Sequence, residues 1–265
     1  MQDEVDRPEA TGQDVPVLPS ASAGPHPLIE ALRFLTLLPL PGRPAAPETG
    51  IARSLAWFPV AGLLIGVLLL LVGWLAGLAW DAGVRAACII VAWGVITAGM
   101  HLDGLGDTFD AVMSWRPRER KLEILRDSRV GTMGLLAIGA VLLLKFAWLQ
   151  TSGDEWWRAV LLAPVWGRWS QIYGLCRFPS ARAEGLGHTF QQRREQRSLF
   201  RATLAALLLT LLLGPIQGLV AGLLVWGIAA LLYRWWVRDL GGLTGDTYGA
   251  LCEISEVIVL AVIAF

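Results

Sequence analysis

Three carboxylates are spaced so that they can share a cation. In HLDGLGDTFDA, residues 101–111, Asp107 and Asp110 follow Asp103 by 4 and 7 positions. At 3.6 residues per turn these offsets place the acids on one helical face. Like charges held so close repel unless a cation lies between them, and hard oxygen ligands suit Mg²⁺, with Mn²⁺ the second choice. His101 precedes the acids, and Gly104 and Gly106 leave room for another group, such as a phosphate, to come close. The bland alternative is a solvated loop carrying three ordinary surface acids.

Three further groups of residues could do chemistry. RKLEILRDSRVGTMG, residues 120–134, sets Arg126, Ser128, Arg129 and Thr132 ahead of an apolar run. This resembles an anion site, in which free backbone N–H groups, the helix dipole and guanidinium forks face a phosphate. A helix cap at Asp127 or Ser128 with arginines as membrane anchors is the structural alternative. GGLTGDTYGALCEISE, residues 241–256, carries Asp246, Glu253 and Glu256 within one helical stripe of about 80°. Arg168 sits mid-way along an apolar segment and needs a partner there, either a substrate phosphate or a carboxylate. Lys145 is expected to snorkel to the outer surface. The basic loop 180–197 holds His188 beside a Gly185-Leu186-Gly187 turn and suits substrate capture or a solvated surface equally.

The elements that must position these groups follow from composition. Of 265 residues 55% are hydrophobic and 17% charged, with thirteen Trp and a mean hydropathy of +0.54. Residues 55–80 and 202–233 carry no charge at all, and each run is long enough for a transmembrane helix. Basic and acidic residues number 22 each, so the basic excess of a nucleic-acid binder is absent. The pattern predicts an all-α, polytopic integral membrane bundle. About seven spans are expected, near 54–79, 84–102, 130–150, 158–178, 199–213, 216–236 and 248–265. Residues 202–233 as one helix would be about 48 Å long, too long for one crossing, so Gly214-Pro215 is read as a turn. Residues 28–40 are too short to span and suit an interfacial or re-entrant helix that could floor a substrate cavity. Lysines and arginines concentrate in 1–53, 103–129, 179–198 and 237–247, which places those segments in the cytoplasm. Residues 1–27 read as a disordered, non-translocated tail, and 28–265 as one membrane-embedded catalytic domain. Cys88, Cys176 and Cys252 are too scattered for a disulfide framework or metal knuckle. Most Trp residues fall near span ends, as interface anchors do.

Taken together, RFLTLLPLP near residue 33, SLAWFPVAGLLIG, HLDGLGDTFDA, RKLEILRDSRVGTMG, ARAEGLGHTF and GGLTGDTYGA resemble the adenosylcobinamide-GDP ribazoletransferase family, also called cobalamin (5′-phosphate) synthase. Family members commonly have Ala where Gly106 stands, and a small residue at Phe109; the three acids are intact. The resemblance implies the last assembly step of the cobalamin nucleotide loop. There adenosylcobinamide-GDP and α-ribazole, or its 5′-phosphate, give adenosylcobalamin, or its 5′-phosphate, and GMP. It further implies a bacterial cytoplasmic membrane enzyme with its site facing the cytoplasm, and is compatible with a homo-oligomer. In that chemistry Asp103, Asp107 and Asp110 would hold Mg²⁺ with Asp246 contributing, and Arg126, Arg129 and Arg168 would contact phosphates. Ser128, Thr132, Glu253 and Glu256 complete the expected substrate-binding set, with Asp246, Glu253 or His101 as candidate base. A CDP-alcohol phosphotransferase also clusters aspartates around a metal, but its Asp-Gly-x-x-Ala-Arg pattern departs from Asp103-Gly104-Leu105-Gly106-Asp107. A cation-coupled transporter would place acids and an arginine inside the membrane as well.

Overall fold

The computed structural model describes residues 26–42, 52–127, 129–182 and 197–265. The expected tail falls almost entirely outside the described residues, as do Ser128 and His188. The helices are α1 (Pro27–Leu35), α2 (Phe58–Gly77), α3 (Ala82–Ile96), α4 (Met100–Val112), α5 (Arg118–Ile124), α6 (Thr132–Thr151), α7 (Trp156–Arg177), α8 (Ser198–Leu213), α9 (Pro215–Leu240) and α10 (Gly245–Ala264).

Every expected span but the second falls on one helix, yet length and composition suffice to cross a bilayer in only four of the described helical runs, 52–77, which contains α2, and α6, α9 and α10, with α3 and α4 passing only as a bent pair. Leu71, Leu143, Leu212 and Leu223 are more than half exposed on α2, α6, α8 and α9, a pattern suited to lipid and not to water. α7 is the exception that composition misjudges. Every residue from Ala159 to Ile172 is buried, because α7 is ringed by other helices and so tolerates Arg168, Ser170 and Gln171. Gly62 and Gly66 let α2 lie against it. A Cβ at either position would come within 3 Å of the backbone at Pro164 or Val160 and Leu161, the close approach that small residues allow between membrane helices.

Span two corrects the expectation of one helix over 84–102. α3 ends at Ile96, Ala98 and Gly99 both take the left-handed conformation (φ 56° and 63°), and α4 leaves at 87° to α3. Gly99 N donates back to Gly94 O at 2.8 Å, a closure that a glycine cap makes without steric cost. α4 therefore turns away from the line of α3 and packs across α10 and α6. His101 meets Gly249 and Gly104 meets Asp246 in the first turns of α10, while Asp110 reaches Gly131 and Gly134 at the start of α6.

The connections expected on one side do gather at that end. Arg118 Nε donates to Leu240 O at 2.8 Å and Lys121 pairs with Asp239 at 2.6 Å. Residues 179–181 and Leu243 exchange backbone hydrogen bonds of 2.8 and 2.9 Å. At the other end Arg85 lies over Trp156 and Trp148 meets Phe265. Gly214 and Pro215 separate α8 from α9, as their turn chemistry requires. α1 is shorter than the apolar 28–40 run. It stops at Leu35, Arg33 holds the carbonyls of Pro41 and Gly42, and Leu37 N bonds to Ile96 O, so the extended tail of the segment folds onto the end of α3.

Candidate active site at one end of the bundle

Where α4 crosses α10, a cavity of about 230 Å³ opens. His101, Asp103 and Gly104 line it from α4, and Gly245, Asp246 and Gly249 from α10. Phe34, Phe58, Met100, Leu175 and Tyr248 supply apolar and aromatic wall, and Gln171 comes from α7. The structure thus joins two acids that are 143 positions apart in the chain (246 − 103). The 28–40 segment helps enclose the site through Phe34, as its length and apolar character suggest.

Gly104 and Gly106 do let other groups come close, and in the folded chain those groups are neighbouring helices, Gly104 also lining the cavity. What approaches Gly104 is the backbone of Asp246, which a Cβ would meet at 2.9 Å, and Gly106 faces Ile138 and Gly134 of α6. These glycines bring three helices together and thereby set the acids side by side. Asp107 shows the result. Burial, then the charges of Asp103, Asp246, Asp110 and Asp127, push its carboxyl up from 3.8 to about 7. Asp110 plays a different local part, because its two oxygens accept from Gly131 N at 2.7 Å and Gly134 N at 2.8 Å. α6 has no side-chain cap of its own, so Asp110 supplies the anion that its N-terminus attracts.

Within the chain, Asp110 takes the backbone N–H groups of Gly131 and Gly134, and the arginines beside them stay at the surface. Arg129 pairs with Asp127 at 2.6 Å, its guanidinium 86% exposed, and these hydrogen bonds hold the Asp127 carboxyl below the usual range. Arg126 and Thr132 are exposed beside it.

The deeper charges form a separate cluster. Arg168 is fully buried and donates to Glu256, and its Nη2 lies 3.5 Å from His101 Nδ1. Lys145 does not snorkel. It is buried, bonds to Glu253 at 2.7 Å and to Glu256, and sits 4.2 Å over the Trp93 ring. A lysine amid apolar residues stays inside when two carboxylates face it, and those carboxylates lie on α10, over a hundred positions away. Lys145 and Arg168 thus face Glu253 and Glu256, two basic against two acidic side chains, and the cluster touches the site through His101.

The sequence model of the cobalamin-5-phosphate synthase family matches residues 27–264. The chain belongs to this family. Among relatives named adenosylcobinamide-GDP ribazoletransferase, that of Roseiflexus sp. (strain RS-1) is 60% identical over 235 residues, 89% of this chain and 88% of its own. That of Herpetosiphon aurantiacus is 49% identical (89% and 95% covered), and that of Pseudomonas putida 39% (88% and 96%). No solved structure matches the chain. For a cobalamin-5-phosphate synthase the motifs carried the acids, but Gln171, Tyr248 and Phe34 went unnoticed. Gln171 left a trace: an amide in an otherwise apolar helix, three positions after Arg168.

Proposed function

We propose that the chain carries out the last assembly step of the cobalamin nucleotide loop, joining adenosylcobinamide-GDP to α-ribazole or its 5′-phosphate and releasing GMP. The family match over 27–264 carries the reading, and the cavity with Asp103 and Asp246 at its edge gives it a place. The same match sets aside the CDP-alcohol phosphotransferase and the transporter.

In this reaction a ribose hydroxyl oxygen attacks the phosphorus attached to the cobinamide arm. The new O–P bond forms as the bond to the bridging diphosphate oxygen breaks, and that electron pair leaves on GMP. The hydroxyl proton passes to a carboxylate, for which Asp246 is the candidate on the cavity wall. Work of this kind is mostly positioning and charge stabilisation. Asp103 and Asp246 orient the nucleophile, and the arginines of the 116–129 segment attract the polyphosphate.

Asp103 and Asp246, the two acids on the cavity wall, would hold Mg²⁺ together with substrate phosphates, with Asp107 close by. The raised Asp107 carboxyl, which burial and then the charges of Asp103 and Asp246 produce, fits a cation nearby. Among the described residues no three His, Cys, Asp or Glu side chains converge to hold an ion by themselves, so the four-acid set expected from the sequence is not assembled, and both Asp110 oxygens are engaged at the start of α6. When bound, the ion would neutralise the diphosphate. The acid-lined end faces the cytoplasm of a bacterial inner membrane in this reading, since Arg116, Arg118, Arg120, Lys121, Arg126 and Arg129 lie in one connection there.

The test incubates purified protein in detergent or vesicles with adenosylcobinamide-GDP, α-ribazole and Mg²⁺. Cobalamin product and GMP are expected in equal amounts, and EDTA should stop both. Absence of product with metal and lipid present would sink the assignment.

A further inference from the structure

We infer that the 230 Å³ cavity between α1, α2, α4, α7 and α10 is the subsite for the acceptor nucleoside, with Gln171 and the Phe34–Phe58 wall as its specificity determinants, the corrinoid substrate binding elsewhere. The inference rests on the reaction proposed for the chain and assigns one substrate to one place.

Size is the first argument. At about 230 Å³ the cavity is below the roughly 300–1,000 Å³ of pockets that take a drug-sized ligand whole. It admits a fused-ring base with part of its sugar and excludes a corrin macrocycle. The walls choose between the two nucleosides of the reaction. Phe34 and Phe58 stack on each other at 6.0 Å, and Met100 and Leu175 continue an apolar surface. A guanine would bury several donors and acceptors against it, and each one left unpaired weakens binding. A benzimidazole riboside has a largely apolar ring with a single free ring nitrogen.

The polar groups match what is left. Gln171 is 5% exposed and His101 2%, and both line the cavity. Gln171 Oε1 and His101 Nε2 have no hydrogen-bond partner among the described residues. Arg168 can only donate, so a bond to His101 Nδ1 leaves the proton of the neutral ring on Nε2. The cavity wall therefore carries one unpartnered acceptor and one unpartnered donor, the two kinds of group a ribose hydroxyl would need. Asp103 and Asp246 on the same wall then face the sugar, where the attacking oxygen must be.

The experiment titrates purified protein in detergent with α-ribazole alone by calorimetry, and measures KM for each substrate separately. Two variants probe the subsite. Gln171→Leu removes the amide. Gly245→Leu grows a side chain where an added Cβ meets nothing within 4 Å, filling the cavity without disturbing the helices. Each should weaken α-ribazole binding and raise its KM about tenfold, the loss of one buried hydrogen bond or of the space. The KM for adenosylcobinamide-GDP should stay within about twofold of wild type. Unchanged α-ribazole affinity in both variants, or a shift confined to adenosylcobinamide-GDP, overturns the subsite. Competition of GMP with α-ribazole in the titration would assign the cavity to guanine and overturn it too. Wild-type protein that binds α-ribazole but forms no cobalamin would refute the reaction and leave the subsite standing.

Discussion

At the scale of single residues, Asp107 records what burial, and then the nearness of other acids, does to a carboxyl group. Its carboxyl titrates at about 7 when folded, against 3.8 as the ordinary value. Between those values the folded chain binds more protons than the unfolded chain, so this group's contribution to stability falls as pH rises from about 4 to about 7, and stays low above. In EDTA, Asp107→Asn is therefore expected to raise the thermal midpoint relative to wild type at pH 8 and to lose that advantage at pH 4. Mg²⁺ should raise the wild-type midpoint at pH 8 and the variant's much less, with turnover of the variant down by about 10²-fold or more. A variant less stable than wild type at pH 8 in EDTA would contradict the crowding. Stability and activity oppose each other at this position, as is common where a site holds like charges together.

At the scale of elements, the helices are held by backbone contacts that the acids share. Gly104→Ala must push α4 from the backbone of Asp246, since a Cβ there lies 2.9 Å from its carbonyl oxygen. Overpacking of this kind costs about 1–3 kcal/mol, and turnover should fall although no reacting group is altered; chemical denaturation and the standard assay read the two effects. Asp110→Ala strips the N-terminus of α6 of its acceptor and leaves Gly131 and Gly134 N–H without their partner. A loss of about 0.5–2 kcal/mol is expected, with hydrogen exchange accelerated in the first turn of α6. Exchange unchanged there would show that Asp110 is not the cap. The sequence pointed to these helices and to most of their limits, because uncharged runs and Gly214-Pro215 are local signals. It did not show the break after Ile96, where one glycine within an apolar run decides between a continuing helix and a turn of 87°.

At the scale of the molecule, Lys145, Glu253, Glu256 and Arg168 tie α6, α7 and α10 together inside the bundle. Glu256→Gln leaves Arg168 buried without its counter-charge. Breaking a buried pair from one side costs about 3–5 kcal/mol, so little folded protein should be recovered in detergent. Lys145→Met with Glu253→Gln removes one charge of each sign and should fold better than Glu256→Gln; equal yields would show that the pairing contributes nothing. Topology offers a separate test. Phe265 lies with Trp148 at the end opposite Asp246, so a C-terminal alkaline phosphatase fusion should be active outside the cytoplasm, and a cytoplasmic reporter there silent.

The sequence by itself determined that the chain is a helical membrane protein, where most of its helices run, which connections collect the basic residues, and that Asp103, Asp107, Asp110 and Asp246, with Glu253 and Glu256, are the acids to test for the chemistry. Those properties are written in hydropathy, charge and local spacing. Only the tertiary structure decided what several of the charged residues touch. Asp110 turns to cap α6, Arg129 closes on Asp127, and Lys145 stays inside because two glutamates on α10 meet it. It also decided that Gly104 lets the backbone of Asp246 come close, and that Gln171 and Phe34 share a cavity with the acids. For Lys145, Asp110 and Gly104 the physical reason is the same. The partner of a buried charge, or the neighbour of a glycine, lies across a helix interface and far along the chain, and no periodicity within one segment contains that information.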